Sequence, residues 1–171
     1  MEENRAPSPT LGTLLRHLIE HLDGEVEAAY VRAGLAYKPR YTPVVRALIA
    51  LGPASIRTIS QRAGMTHSAV SQTVSQMAAR GLVVLAPGGD ARERIVALTP
   101  AAEAMVPALE RHWAATNAAA RALDGELRAP LSDVLREAIA ALERRPFGER
   151  IDAAAAAESQ EPESEGHDGS A

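Results

Sequence analysis

The sequence predicts a mostly α-helical protein with one small β hairpin, on three observations. Leucine, valine, isoleucine and alanine recur at helical spacing over most of the 171 residues, whereas strand-like alternation is confined to about 82–98. Aromatic residues are few, namely Trp113, Phe147 and three tyrosines, so the core must be aliphatic and rich in alanine, which suits close-packed helices. A helix with one polar face starts at Thr66 behind a glycine turn and leads into the hairpin.

The elements follow in order. Leu11, Leu14, Leu15, Leu18, Leu22, Val26, Ala29, Tyr30 and Ala33 predict a long first helix ending at Gly34. Pro39 and Pro43 bracket a loop over 37–42. Val44, Val45, Leu48, Ile49 and Leu51 then form a second helix, stopped by Gly52-Pro53. Ser55 caps a third helix with Ile56, Ile59 and Ala63 inward and Gly64 as a left-handed terminator. Thr66 caps the fourth, with Val70, Val74 and Met77 on one side and Ser68, Ser71, Gln72, Ser75 and Ala79 on the other; Gly81 ends it.

A short strand over 82–86, the turn Pro87-Gly88-Gly89-Asp90 and a return strand over 94–98 make the hairpin. Thr99 caps a long fifth helix with Pro100 at its first position. Its inward residues are expected to be Met105, Val106, Leu109, Trp113, Ala120 and Leu123, with a kink where Pro107 cannot donate to the carbonyl of Glu103. Leu131, Val134, Leu135, Ala138, Ile139 and Leu142 carry a last helix after Pro130. Residues 1–9 and the acidic tail 152–171 offer too little apolar surface to offset chain entropy and are expected to be disordered, leaving one domain over 10–151.

The net charge of -4 conceals an uneven distribution. Asp152, Glu158, Glu161, Glu163, Glu165 and Asp168 face no Lys or Arg beyond 151, so the rest of the chain is slightly basic. Within 53–100, Arg57, Arg62, Arg80, Arg92 and Arg94 outnumber Asp90 and Glu93, which concentrates positive charge around the polar helix and hairpin. The chain has no cysteine, which excludes disulfides and thiol redox chemistry. It has no apolar run long enough to span a membrane, and its N-terminus lacks the basic start and apolar stretch of a signal peptide, so a cytoplasmic protein is expected.

These patterns imply contact with double-stranded DNA. His67, Ser68, Ser71, Gln72 and Ser75 are short or flexible enough to reach base edges or phosphates in the major groove, and Gln can pair bidentately with adenine. Arg92 at the hairpin tip suits a narrow minor groove, where Asp90 can hold it by a charge-assisted bond. The expected DNA-contacting set is Thr66, His67, Ser68, Ser71, Gln72, Ser75, Gln76, Asp90, Arg92 and Arg94. His21, Tyr37, Tyr41 and Trp113 are candidates to line a pocket; core filling and loop anchoring are the competing roles. His17 and His21 have the four-residue spacing of metal ligands, with Glu20 and Glu25 nearby, but only His112 offers a remote third ligand. Sequence reasoning therefore assigns no metal and no cofactor. Catalysis is not expected, because no serine sits in a nucleophile elbow and no glycine-rich phosphate loop follows a strand.

The run from Gly64 to Val83, GMTHSAVSQTVSQMAARGLV, followed by Asp-Ala-Arg at 90–92 and by Val96, Leu98 and Thr99, resembles the winged helix-turn-helix of the MarR (multiple antibiotic resistance regulator) family. One long helix before this lobe (about 11–33) and two after it (about 100–145) are similar to that family's dimerisation lobe, with the DNA-binding lobe at about 41–99. The resemblance implies a homodimeric transcriptional regulator, with recognition helices in successive major grooves of a pseudopalindromic operator and Arg92 of each wing in a minor groove. It implies a repressor released by a small aromatic or phenolic effector bound in such a pocket. Gln72 stands where many members have arginine, which implies a different base preference or weaker phosphate contact. A winged helix that binds protein and a constitutive DNA binder without effector are the alternative readings.

Overall fold

The computed structural model describes residues 8–89 and 94–159. Seven helices and three short strands are present among them, in the order α1 (Leu11–Arg32), α2 (Thr42–Leu51), β1 (Ala54–Ser55), α3 (Ile56–Ala63), α4 (His67–Ala79), β2 (Val83–Pro87), β3 (Arg94–Leu98), α5 (Pro100–Glu126), α6 (Leu131–Arg144) and α7 (Phe147–Glu158). A single 3-10 turn, Pro39–Tyr41, lies in the segment expected to be loop. The chain divides into two compact units, residues 1–116 and 117–171.

The first unit holds the core. Tyr30, Tyr41, Val44, Ile59, Val70, Val74, Met77, Val96 and Leu109 are all essentially inaccessible to water, each side chain contributing roughly 1.5–3 kcal/mol through burial. These residues come from every helix of the unit and from β3, so the cluster ties α1 to α5 around the α2–α3–α4 group. The sheet has the order β1-β3-β2, all antiparallel, with Ala54 opposite Val96 and the hairpin register running from Val83 opposite Leu98 to Pro87 opposite Arg94. The two-residue β1 does not stand out in the sequence, because it exists only through pairing with a strand forty residues later. By contrast α1 is anchored only at its end, for from Leu11 to Glu25 every residue but the half-buried Leu18 is exposed.

The second unit has no buried residue in α6 or α7. Asp124 near the end of α5 accepts hydrogen bonds from the backbone N–H of Ser132 (3.2 Å) and from its hydroxyl (2.6 Å), which caps the start of α6. The Ser132 hydroxyl bond, more than any other contact, holds the Asp124 carboxyl below its ordinary value. Val134, Ile139 and Leu142 nevertheless stand exposed along α6, and Phe147 and Ile151 along α7.

Two expectations need correction here. The tail expected to be disordered from 152 begins with the second half of α7, because Ala153 to Ala157 form a run of the strongest helix former behind Pro146 at the cap; residues 160–171 lie outside the described part. Ala120, expected to face inward on α5, is exposed, whereas Leu109 and Trp113 are buried and Met105, Val106 and Leu123 half-buried.

Candidate nucleic-acid interface

The geometry of the polar helix is set by its ends. Gly64 adopts φ +64°, a left-handed conformation open to glycine without strain, and closes α3. Two residues on, Thr66 is extended and its hydroxyl accepts from the N–H of Ala69 at 3.2 Å, starting α4. The turn between the helices is therefore short and fixed at both sides. Ser55 does the same for α3, accepting from the N–H of Thr58 at 3.3 Å, while its own backbone pairs opposite Ile95 in the hairpin. Thr99 joins the other side of the lobe, its hydroxyl donating to the carbonyl of Gly81 at 2.8 Å and accepting from the N–H of Ala102 at 3.2 Å. One residue thus clamps the exit of α4 to the start of α5.

Between these caps α4 divides as its periodicity requires. Val70, Thr73, Val74 and Met77 are buried against the core, and His67, Ser68, Gln72, Ser75 and Ala79 are exposed, with Ser71 half-buried at the edge. Ser75 donates to the carbonyl of Ser71 at 2.9 Å, so its hydroxyl turns back on the helix and offers mainly acceptor lone pairs outward. Gln76 departs from expectation, since it is half-buried and its Oε1 is buried without a partner among the described residues. It lies between exposed Gln72 and buried Thr73 on the helix circumference, at the edge of the outward polar set. Arg94 is exposed at the start of β3. Asp90 and Arg92, the expected hairpin-tip pair, lie outside the described residues.

The residues expected to line an effector pocket do not all come together. Tyr37, Tyr41 and Trp113 are buried, but His21 is exposed on α1 and its ring meets His17 instead. Tyr30 and His112, not singled out as pocket residues by the sequence, complete an edge-to-face chain: Tyr41 to Tyr37 at 5.7 Å, Tyr37 to Tyr30 at 5.1 Å and Tyr30 to His112 at 5.6 Å between ring centres. The guanidinium of Arg46 sits 5.4 Å from the centre of the Trp113 ring. The Tyr37 hydroxyl donates to Thr42 Oγ1 at 3.4 Å, and burial raises its pKa well above the ordinary phenol value. Tyr41 Oη and Trp113 Nε1 are buried with no partner among the described residues. The sequence signal for Tyr30 was its place in the apolar stripe of α1, which spoke for burial and not for a site.

Helix, glycine turn, polar-faced helix and a hairpin clamped back onto the core define a winged helix-turn-helix protein. Residues 37–93 match the model of the MarR family. A MarR-family transcriptional regulator of Silicibacter pomeroyi is 27% identical, covering 79% of this chain and 96% of that one with a TM-score of 0.56. A transcriptional regulator of M. tuberculosis, MOSR, solved in complex with DNA, is 17% identical over 82% of this chain and 98% of its own, with a TM-score of 0.62. The PcaV regulator of Streptomyces coelicolor, solved with its natural ligand, is 22% identical over 82% and 99%, with a TM-score of 0.54. No curated protein matches the sequence. Over residues 37–93 the chain is thus similar to the MarR family, and it shares the winged-helix fold of these solved transcriptional regulators. No described helix is long and apolar enough to cross a membrane.

Proposed function

We propose that this protein is a cytoplasmic homodimeric repressor that reads a pseudopalindromic operator and leaves it when a small aromatic molecule binds. The observation that carries the DNA reading is the division of α4, whose outward face presents Ser68, Gln72 and Ser75 without an apolar anchor while its inward face is locked in the core. A helix that docked on protein would expose apolar side chains there. Asp90 and Arg92 are assigned to the wing tip in the minor groove, and Thr66, His67, Ser71 and Arg94 to flanking phosphates or base edges.

The exposed apolar residues of α1 in the first unit, and those of α6 and α7 in the second, each support pairing of two copies, because apolar helix faces are seldom left in water. The unpartnered Tyr41 Oη and Trp113 Nε1 support an effector that has hydrogen-bonding groups on a flat ring. Such a ligand releases DNA only to the extent that it prefers the non-binding state. Selection of sites from random DNA, followed by titration with aromatic carboxylates and phenols in the same binding assay, tests the reading. Specific, salt-dependent binding weakened by one of these classes is the expected result. Binding without sequence preference, or none at all, contradicts it, and specific binding that no ligand alters leaves a constitutive DNA binder.

A further inference from the structure

We propose that His17 and His21 form a two-ligand site for a late first-row divalent cation, Zn2+, Ni2+ or Cu2+, on the exposed side of α1. Their Nε2 atoms lie 3.1 Å apart, with ring centres separated by 4.4 Å and ring planes at 82°. Imidazole nitrogens bound at about 2.0–2.1 Å to one ion, at angles between square-planar and tetrahedral, stand roughly 2.9–3.4 Å from each other. The observed spacing falls within that interval. The helix backbone permits it, because residues four apart lie one above the other on the same face.

Two neutral imidazoles facing through Nε2 need one of them to carry a proton there. A cation in that place accepts both lone pairs and leaves each Nδ1 protonated toward water. No group of three potential ligands occurs among the described residues. The remaining coordination positions therefore fall to water, and the ion should exchange freely. This fits imidazole-preferring metals and not Ca2+ or Mg2+, which require several oxygen ligands.

The location gives the site a consequence. Among the described residues of one chain, the stretch from Leu11 to Glu25 is exposed except for the half-buried Leu18. A clip across one turn stabilises the helical form of that stretch through linkage, because the unfolded segment does not hold the two rings together. The site is independent of the DNA reading, and its failure leaves that reading untouched.

The test is calorimetric titration of the full-length, tag-free chain with ZnCl2, NiCl2 and CuCl2 separately, beside His17→Gln, His21→Gln and His67→Gln. The native chain and His67→Gln should bind one ion per chain. Either His17→Gln or His21→Gln should lose at least about tenfold in affinity, as expected when one of two linked ligands is removed. Thermal unfolding followed by far-UV circular dichroism should show a higher melting temperature with metal for the native chain and not for those two variants, and the starting spectra verify that the variants fold. Equal binding by native chain and variants, or no binding by the native chain, overturns the proposal.

Discussion

The two units of this chain bury their apolar residues to opposite degrees. In residues 1–116 each helix from α2 to α4 sends a stripe of side chains into one aliphatic and tyrosine-rich core, and β3 adds Val96. In 117–171 the stripe of α6 is as regular, yet Val134, Ile139 and Leu142 remain in water. Identical periodicity thus produces a finished core in one place and an unfinished surface in the other. A hydrophobic pattern tells which residues seek burial and not what will cover them.

Core substitution should separate the two units most strongly. Leu109→Ala, deep in the first unit, should destabilise by about 2–5 kcal/mol at any protein concentration. If the face of α6 pairs two copies, Ile139→Asp should lower thermal stability in a concentration-dependent way and shift the light-scattering mass from dimer toward monomer. A change within about 0.5 kcal/mol and an unaltered mass would break the comparison, because the second unit would then need no cover.

On DNA, Arg92→Ala should cost on the order of 1–3 kcal/mol of operator affinity while the dimer persists, measured by fluorescence anisotropy. Gln72→Ala should lose a similar amount on the selected site and little on random DNA, since a base contact discriminates where a phosphate contact does not. Equal losses on both would reassign Gln72 to the backbone.

A smaller effect, about 1 kcal/mol by thermal or denaturant unfolding, is expected of Thr66→Ala, which removes the bond to Ala69 but leaves the core face of α4 intact. The least is expected of Asp124. Its carboxyl is held below its ordinary value, so the stabilisation is present at neutral pH, above the unfolded-state pKa, and is lost as acid carries the pH below the usual carboxylate range. Asp124→Asn should remove that part of the pH dependence, seen as a flatter melting-temperature profile at acid pH.

The first unit was largely legible for a physical reason. Its helices start and stop at local chemistry, Ser55, Thr66 and Thr99 at the caps and Gly64 and Gly81 at the ends, and nothing remote is needed to read them. Where remote partners decide, legibility fails. β1 is visible only through Val96 and Ile95. The partial burial of Gln76 is likewise not local, since a wheel drawn on one helix places it near the polar side. His21, a pocket candidate in the sequence, lies nine residues before Tyr30 on the exposed length of α1 and pairs with His17. α7 was hidden by composition, since an alanine run looks like low-complexity tail as readily as helix.

The most direct measurement is a footprint of the native protein on its selected operator, combined with the stoichiometry of the complex. Two protected half-sites about 10 bp apart, centre to centre, occupied by two chains, are predicted if the first unit reads DNA while the second joins copies. One protected half-site held by a single chain would contradict that account.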